Sequence, residues 1–275
     1  MKHFFLFTIF VAVMSIAGPV LSQGFKIVAL DEVPGRTMNA GTFSSADPEA
    51  VKKYMPGGTA PASVTTFILF AGEDTVLFDA GLGGETWSAK MAELGVKPEN
   101  VKLILLTHYH SDHIGGLMQG NVRRFPHAKV LSSVQEYEAG QQQQPIVKIR
   151  SAYGQDFITF KFDDDVFANS LVHVKAIDAV GHTPGHSVFL IESKQEGKEK
   201  FLIVGDLLHA AALQFPVPEA CASYDADQAK AIASRKRILD FAAQEKLLIG
   251  GMHLPPPSVG TVKKEDKGYA FDRKE

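Results

Sequence analysis

Residues 105–116 read "LLTHYHSDHIGG", with three histidines and an aspartate in six positions, between an apolar run and two glycines. Imidazole and carboxylate at that density bury little apolar surface, so core packing does not explain them. Neutral imidazole nitrogen and carboxylate oxygen together form the donor set of zinc and similar borderline divalent ions. On a loop at a strand end, His108 and His110 can turn to one side and Asp112 and His113 to the other. One segment then supplies two half-sites. Three nitrogen ligands around one ion leave a position for water. A second ion would take Asp112, His113, His253 and a further carboxylate. Asp206, in "FLIVGDLLH", is the candidate, and its two oxygens could bridge both ions.

The elements that must position these groups are legible as periodicity. "SVTTFILFAGEDTVLFDAGLGG" (63–84) reads as strand, turn at Gly72-Glu73-Asp74, strand, then Asp79 and a glycine-rich loop. "ETWSAKMAELGV" reads as a helix ending near Gly95, and "VKLILLTH" as a strand whose end opens the histidine cluster. "HSVFLIESKQEGKEKFLIVGDLLH" (186–209) repeats strand, polar turn, strand and acid, here Asp206. Residues 225–245 carry Ile232, Leu239 and Ala242 at helical spacing, with Asp225 or Asp227 as N-cap. "KLLIGGMH" delivers His253 at another strand end. Two halves thus present polar residues only where strands finish, the place where a rigid scaffold displays functional groups. Between them, residues 131–169 read as a helical and irregular connection overhanging the site, with the glutamine run on a solvated helix face.

The N-terminus has a different character. Lys2 and His3 precede an apolar stretch over Phe4–Ala17, then Gly18-Pro19 and small residues before Ser22. A basic start, a short apolar region and a small-residue cut describe a secretory signal peptide over residues 1–22. The run is also short for a bilayer-spanning anchor. The expectation is an exported protein, periplasmic or secreted, with residues 23–275 as one domain and no stable membrane association after cleavage. A single cysteine, Cys221, excludes an internal disulfide and reads as a packed residue. The formal net charge of −3, with no basic stripe, excludes nucleic acid as a partner and leaves a small-molecule substrate. A homodimer is compatible with the sequence.

The pattern His108-Tyr109-His110-Ser111-Asp112-His113 resembles the H-x-H-x-D-H hallmark of the metallo-β-lactamase-fold hydrolase superfamily. The likeness extends over about residues 25–260. It implies an α/β fold, a four-layer αββα sandwich, with the metal site at the edge between the two halves. By the same resemblance His108, His110 and His186 would hold one ion, and Asp112, His113 and His253 the other, with Asp206 bridging. Asp79 would orient a ligand histidine, whereas His182 in "GHTPGH" is expected to be structural or orienting and not a ligand. The implied chemistry is attack by a metal-bound hydroxide, with two divalent ions, zinc being the expected one, and Asp112 and Asp206 as the catalytic carboxylates.

Within the superfamily, "GHTPGHSVFLIES", "VGDLLHAAALQFPVPEACASYDAD" and "HLPPPSVG" resemble the exported methyl parathion hydrolases and, more loosely, the N-acyl-homoserine lactone lactonases. The resemblance implies hydrolysis of a neutral hydrophobic ester, a lactone or aryl ester, with organophosphate triesters as a second activity. Asp206 argues against a dedicated β-lactamase, the alternative enzyme; a metal-binding module without catalysis is the alternative outside enzymes. An apolar substrate pocket is expected from Phe215, Leu254, Tyr153, Phe157, Phe160 and Phe162.

Overall fold

In the computed structural model, which describes residues 20–21, 25–194 and 199–274, the apolar runs become the strands of two seven-stranded mixed sheets packed face to face. The leader expected over residues 1–22 lies outside the described residues, apart from Val20 and Leu21, which pair with Ile27 and Lys26 at a sheet edge. No helix among the described residues is long and apolar enough to cross a membrane.

Burial explains why these strands read as unbroken apolar runs. In Thr65–Ala71, Phe67 and Leu69 point between the sheets, while Ile68 points outward beneath helices. In Ser187–Ser193, Phe189 and Ile191 point inward, while Val188 and Leu190 face the opposite helical layer. A strand covered on both faces has no solvated side on which to place polar residues. Phe78 meets Phe189 across the inter-sheet space at 5.5 Å between ring centroids. Each fully buried ring or leucine contributes about 2 kcal/mol of transfer free energy.

The outer layers complete the sandwich. Trp87 and Met91, from helix Glu85–Glu93, and Ile146, Ile149 and Tyr153, from helix Gln144–Tyr153, pack on the first sheet. Ile238, Leu239 and Ala242, from helix Gln228–Gln244, pack on the second. The order is helix, sheet, sheet, helix, the αββα arrangement the sequence implied. Asp227 caps the last helix by accepting from the Lys230 N–H at 3.1 Å.

The connection over 131–169 is more regular than expected. Strand Lys129–Ser133 is followed by helices Val134–Gly140 and Gln144–Tyr153, then strand Phe157–Phe160 closes the first sheet and Asp165–Ala168 opens the second. The glutamine run is not a helix face: Gln141–Gln143 form the turn between the two helices, and only Gln144 starts the second.

Candidate metal centre

Every group singled out at a strand end reaches one edge of the sandwich. Asp79 follows strand Asp74–Phe78, and His108 follows Val101–Leu105. Asp206 follows Lys200–Ile203, and His253 follows Leu248–Gly250. The short helix Ser111–Ile114 carries Asp112 and His113. That helix is seated by main-chain contact: the Ala80 N–H donates to the His113 carbonyl at 2.7 Å, and the Gly116 N–H to the Gly81 carbonyl at 3.2 Å. A Cβ on Gly116 would collide with the Ala80 carbonyl oxygen, so the two loops touch backbone to backbone.

The donor atoms converge in overlapping groups, each within 4.8 Å: His108, His110, His182 and Asp206 form one and Asp112, His113 and His253 a second, while His209 joins His182 and Asp225 in a third and Asp206 and His253 in a fourth. His182 Nε2 lies 3.2 Å from His108 Nε2 and 3.0 Å from His110 Nδ1. Asp206 stands between the groups. Its Oδ2 is 3.3 Å from His182 Nε2 and 3.1 Å from His253 Nε2, and its Oδ1 is 3.1 Å from His113 Nε2. Asp112 Oδ2 is 3.5 Å from His253 Nε2.

One expected ligand is displaced. His186 is spent elsewhere: its Nδ1 donates to the Ala179 carbonyl at 3.0 Å, and its Nε2 accepts from the Asp206 N–H at 2.9 Å. With both nitrogens engaged it has no lone pair for an ion. His182, set aside as structural or orienting in the sequence, occupies the ligand position instead. The physical reason is a partner on a distant segment. Asp225 Oδ1 accepts from His182 Nδ1 at 2.8 Å and thereby aims Nε2 at His108 and His110. Arg235, itself buried, lies 3.6 Å from the other oxygen of Asp225.

His113, His108 and His253 are aimed in the same way, by an acceptor on the nitrogen facing away from the cluster, which fixes ring orientation and tautomer. Asp79 Oδ2 accepts from His113 Nδ1 at 2.7 Å, the orienting role expected of it. Its Oδ1 accepts from the Thr107 N–H at 2.7 Å, and the residue holds a left-handed conformation with φ 61°. Thr107 Oγ1 lies 3.0 Å from His108 Nδ1, and the Ser63 carbonyl accepts from His253 Nδ1 at 2.8 Å.

Glu136 is a further residue that sequence reasoning missed. It is buried, and its Oε1 accepts from the Tyr109 N–H at 3.0 Å. Its Oε2 accepts from Thr183 Oγ1 at 2.6 Å and from the Gly185 N–H at 2.9 Å. It therefore pins the loop of His108 to the loop of His182. The signal was present as Ser133-Val134-Gln135-Glu136, a capping-box spacing. Ser133 does cap, accepting from the Glu136 N–H at 3.0 Å, but the glutamate reaches away to the two loops.

The electrostatics favour positive charge between these acids. Burial alone would raise the Asp206 carboxyl, yet His113, His253 and His108 beside it hold it well below the usual carboxylate range. Burial would lower His113, yet Asp206 and Asp79 on either side raise it well above the ordinary imidazole value. His182 is pushed up to about 9, its hydrogen bonds to Asp206 and Asp225 outweighing burial. His110, mainly through burial and then the charge of His182, drops to about 4. Inside the cluster, His113 Nε2 and Asp206 Oδ1 are buried 3.1 Å apart and have no hydrogen-bond partner beyond each other. Such atoms are costly unless something cationic satisfies them. Nitrogen and carboxylate donors in two adjoining groups, with orphaned atoms facing each other, fit divalent metal ions of the zinc type.

The expected aromatic pocket is not over this edge. Phe215 stacks on Phe271 at 4.7 Å, Leu254 is buried in the same core, and Phe160 lies between the sheets. The Tyr153 hydroxyl donates to the Leu117 carbonyl inside the helical layer, and Phe157 and Phe162 are only half-buried. Of these rings, Tyr153, Phe160 and Phe215 are core. The apolar surface beside the metal ligands comes from elsewhere: a groove of about 550 Å³ runs from His110 and Ser111 past Ile114 and Met118 to Pro145 and Ile149.

If Asp225 aims His182, replacing Asp225 with Asn is expected to weaken metal binding about 10–100-fold, the usual cost of losing such a partner. Chelator competition on the purified variant measures it, and wild-type affinity would remove Asp225 from this role.

Comparison with known proteins agrees with the geometry. The sequence profile of the metallo-β-lactamase superfamily matches residues 59–249, which takes in every ligand group except His253. A hydroxyacylglutathione hydrolase from Prochlorococcus marinus (strain NATL1A) is 35% identical over 138 residues, 49% of this chain and 46% of that protein. An atrochrysone carboxyl ACP thioesterase from Aspergillus fumigatus is 29% identical over 141 residues, 51% of this chain and 40% of that protein. The chain thus spans less than half the length of these curated relatives. Among solved structures, the hydrolase AbOPH of the β-lactamase superfamily superposes with a TM-score of 0.83 at 26% identity, covering 95% of this chain and 98% of that one. The dizinc quorum-quenching lactonase AidC, at 22% identity and a TM-score of 0.81, covers 94% and 97% and shares the fold. With the profile spanning most of the chain, and the histidines and aspartates of its motifs gathered at one edge of an αββα sandwich, this chain belongs to the metallo-β-lactamase superfamily.

Proposed function

We propose that the protein is an exported, dinuclear metal-dependent hydrolase acting on a neutral hydrophobic ester, a lactone or aryl ester, with organophosphate triesters as a secondary substrate class. The observation that carries the reading is Asp206, placed between the ligand groups with Oδ1 toward His113 and Oδ2 toward His182 and His253. Two divalent ions held there, with zinc the natural choice for this donor set, supply a Lewis acid for the scissile carbonyl and lower the pKa of a neighbouring water. The chain's own residues do the rest. Asp112 is the carboxylate of the cluster most open to solvent, with 19% of its side chain exposed. Burial raises its carboxyl, but His113 and His253 more than offset this and keep it ionised. Asp112, ionised and the most exposed acid of the cluster, would take a proton from the attacking water and return it to the departing alkoxide or phenolate.

The surroundings support the substrate class. The groove beside His110 offers Ile114, Met118, Pro145 and Ile149 to an acyl or aryl group. Tyr224, 41% exposed, stands with its ring 4.9 Å from that of His209 and 5.9 Å from that of His182. The cationic side chain lining the groove is Lys148, exposed to solvent, so no buried cation waits there for a carboxylate or phosphate monoester. Relatives named as lactonase, thioesterase and hydroxyacylglutathione hydrolase support attack at an acyl carbonyl. Export rests on the N-terminal sequence.

The test is a panel of lactones, aryl esters, phosphotriesters and β-lactams on the purified, metal-loaded protein. Lactone or aryl-ester turnover is expected to exceed that of penicillins and carbapenems by more than about tenfold in kcat/KM, or about 1.4 kcal/mol of transition-state preference. A β-lactam as the better substrate would overturn the substrate class and leave only the metal chemistry.

A further inference from the structure

One buried imidazole against the cluster has no part in the reading above. His209 follows Asp206 by three residues, and its backbone N–H donates to Gln214 Oε1 at 2.6 Å. Its ring stacks on His253 at 5.2 Å and 25°, and meets Tyr224 edge-on at 4.9 Å. These contacts fix the ring plane, and Nε2 falls 3.2 Å from Asp206 Oδ2. Its Nδ1 is buried with no hydrogen-bond partner. A neutral imidazole carries its proton on one nitrogen only, and the favourable place for it here is Nε2, against the carboxylate.

His108, His113, His182 and His253 show the opposite pattern. Each has a partner on Nδ1 and turns Nε2 toward the site. His209 offers Asp206 a hydrogen, where the other four offer a metal their lone pairs. His186 performs the matching task on the main chain, accepting the Asp206 N–H at 2.9 Å. Gly205 leaves room for that contact, since a Cβ there would sit 2.5 Å from His186 Nε2.

We propose that His209 is a positioning residue: by donating from Nε2 to Oδ2 it fixes the rotation of the Asp206 carboxylate, so that Oδ1 faces His113 and Oδ2 faces His182 and His253. The proposal rests on the metal-binding reading of the site. The test compares wild type with His209→Phe, which retains the stacking ring without a donor, and His209→Gln, which restores an N–H. Zinc affinity by chelator competition and the visible spectrum of the cobalt(II)-substituted protein are the readouts, with the unfolding midpoint of the metal-free protein as the folding control. If Phe is not tolerated there, His209→Met serves as the donorless variant.

The donorless variant is expected to bind at least one zinc about 10–100-fold more weakly and to shift the cobalt bands, and Gln to recover most of the affinity. Wild-type affinity with an unshifted spectrum in the donorless variant overturns the proposal alone. Loss of a whole metal equivalent that Gln does not restore makes His209 a ligand and also overturns it. A wild-type protein that binds no zinc sinks the metal reading together with this inference.

Discussion

Replacing Asp206 with Ala is expected to lower kcat/KM on any activated ester by about 10³-fold, or about 4 kcal/mol of transition-state stabilisation. An orienting partner of a ligand typically accounts for 10–100-fold; Asp206 is worth more because it is the side chain shared by both groups. Its Oδ1 faces His113 and its Oδ2 faces His182, His253 and, at 3.6 Å, His108. The substitution removes a donor from each group and leaves His113 with Asp79 as its one close buried acid. Mass spectrometry of the variant is expected to show fewer than two ions per chain. Cys221→Ala serves as the control: Cys221 is buried, with Sγ 3.6 Å from the Gln228 carbonyl, and should change neither activity nor metal content. Full activity in the Asp206 variant would withdraw the bridging role and the main argument against a β-lactamase.

Metal removal is expected to act on the fold as well as on catalysis. The ligands come from both halves of the sandwich: His108, His110, Asp112 and His113 follow strands of the first sheet, while His182, Asp206 and His253 belong to the second. Ions that bind the folded state alone stabilise it by mass action, about 4 kcal/mol at a free concentration a thousand times Kd. For a domain of this size that corresponds to about 10 °C in Tm. The metal-replete protein is expected to carry two ions per chain, and a chelator to abolish activity and lower Tm by that amount. One ion per chain with activity intact, or a Tm indifferent to chelator, would contradict the dinuclear reading.

The sequence made the strands legible because both faces of each central strand are buried, and it made the H-x-H-x-D-H turn legible because four ligand groups lie within six residues. What it hid depends on partners far along the chain. His182 and His186 sit four residues apart in the same "GHTPGH" segment, and nothing local says which one faces the ions. Asp225, 43 positions beyond His182, decides it. Asp225 was instead read as an N-cap beside Asp227, since an acid before a helix carries both meanings. The misplaced aromatics teach a related lesson. Phe160 and Phe215 resemble pocket residues in composition, but side chains of that size are drawn to whichever interior lies nearest, and here two layers of core compete with the groove.

The backbone contact between the loop of Asp79 and the glycines after His113 separates what drift can alter from what it cannot. The helix of His113 is seated through main-chain atoms of Ala80, Gly81 and Gly116, a contact that holds only while both glycines lack a Cβ. Ser111 and Ile114, on the same short helix, open onto the groove, whose opposite wall is the separate helix Gln144–Tyr153. On the proposed reading, replacements along that wall are expected to change substrate preference while the placement of the ligand residues stays as it is. A lineage built on this scaffold can therefore change its diet by small steps without passing through an inactive ancestor.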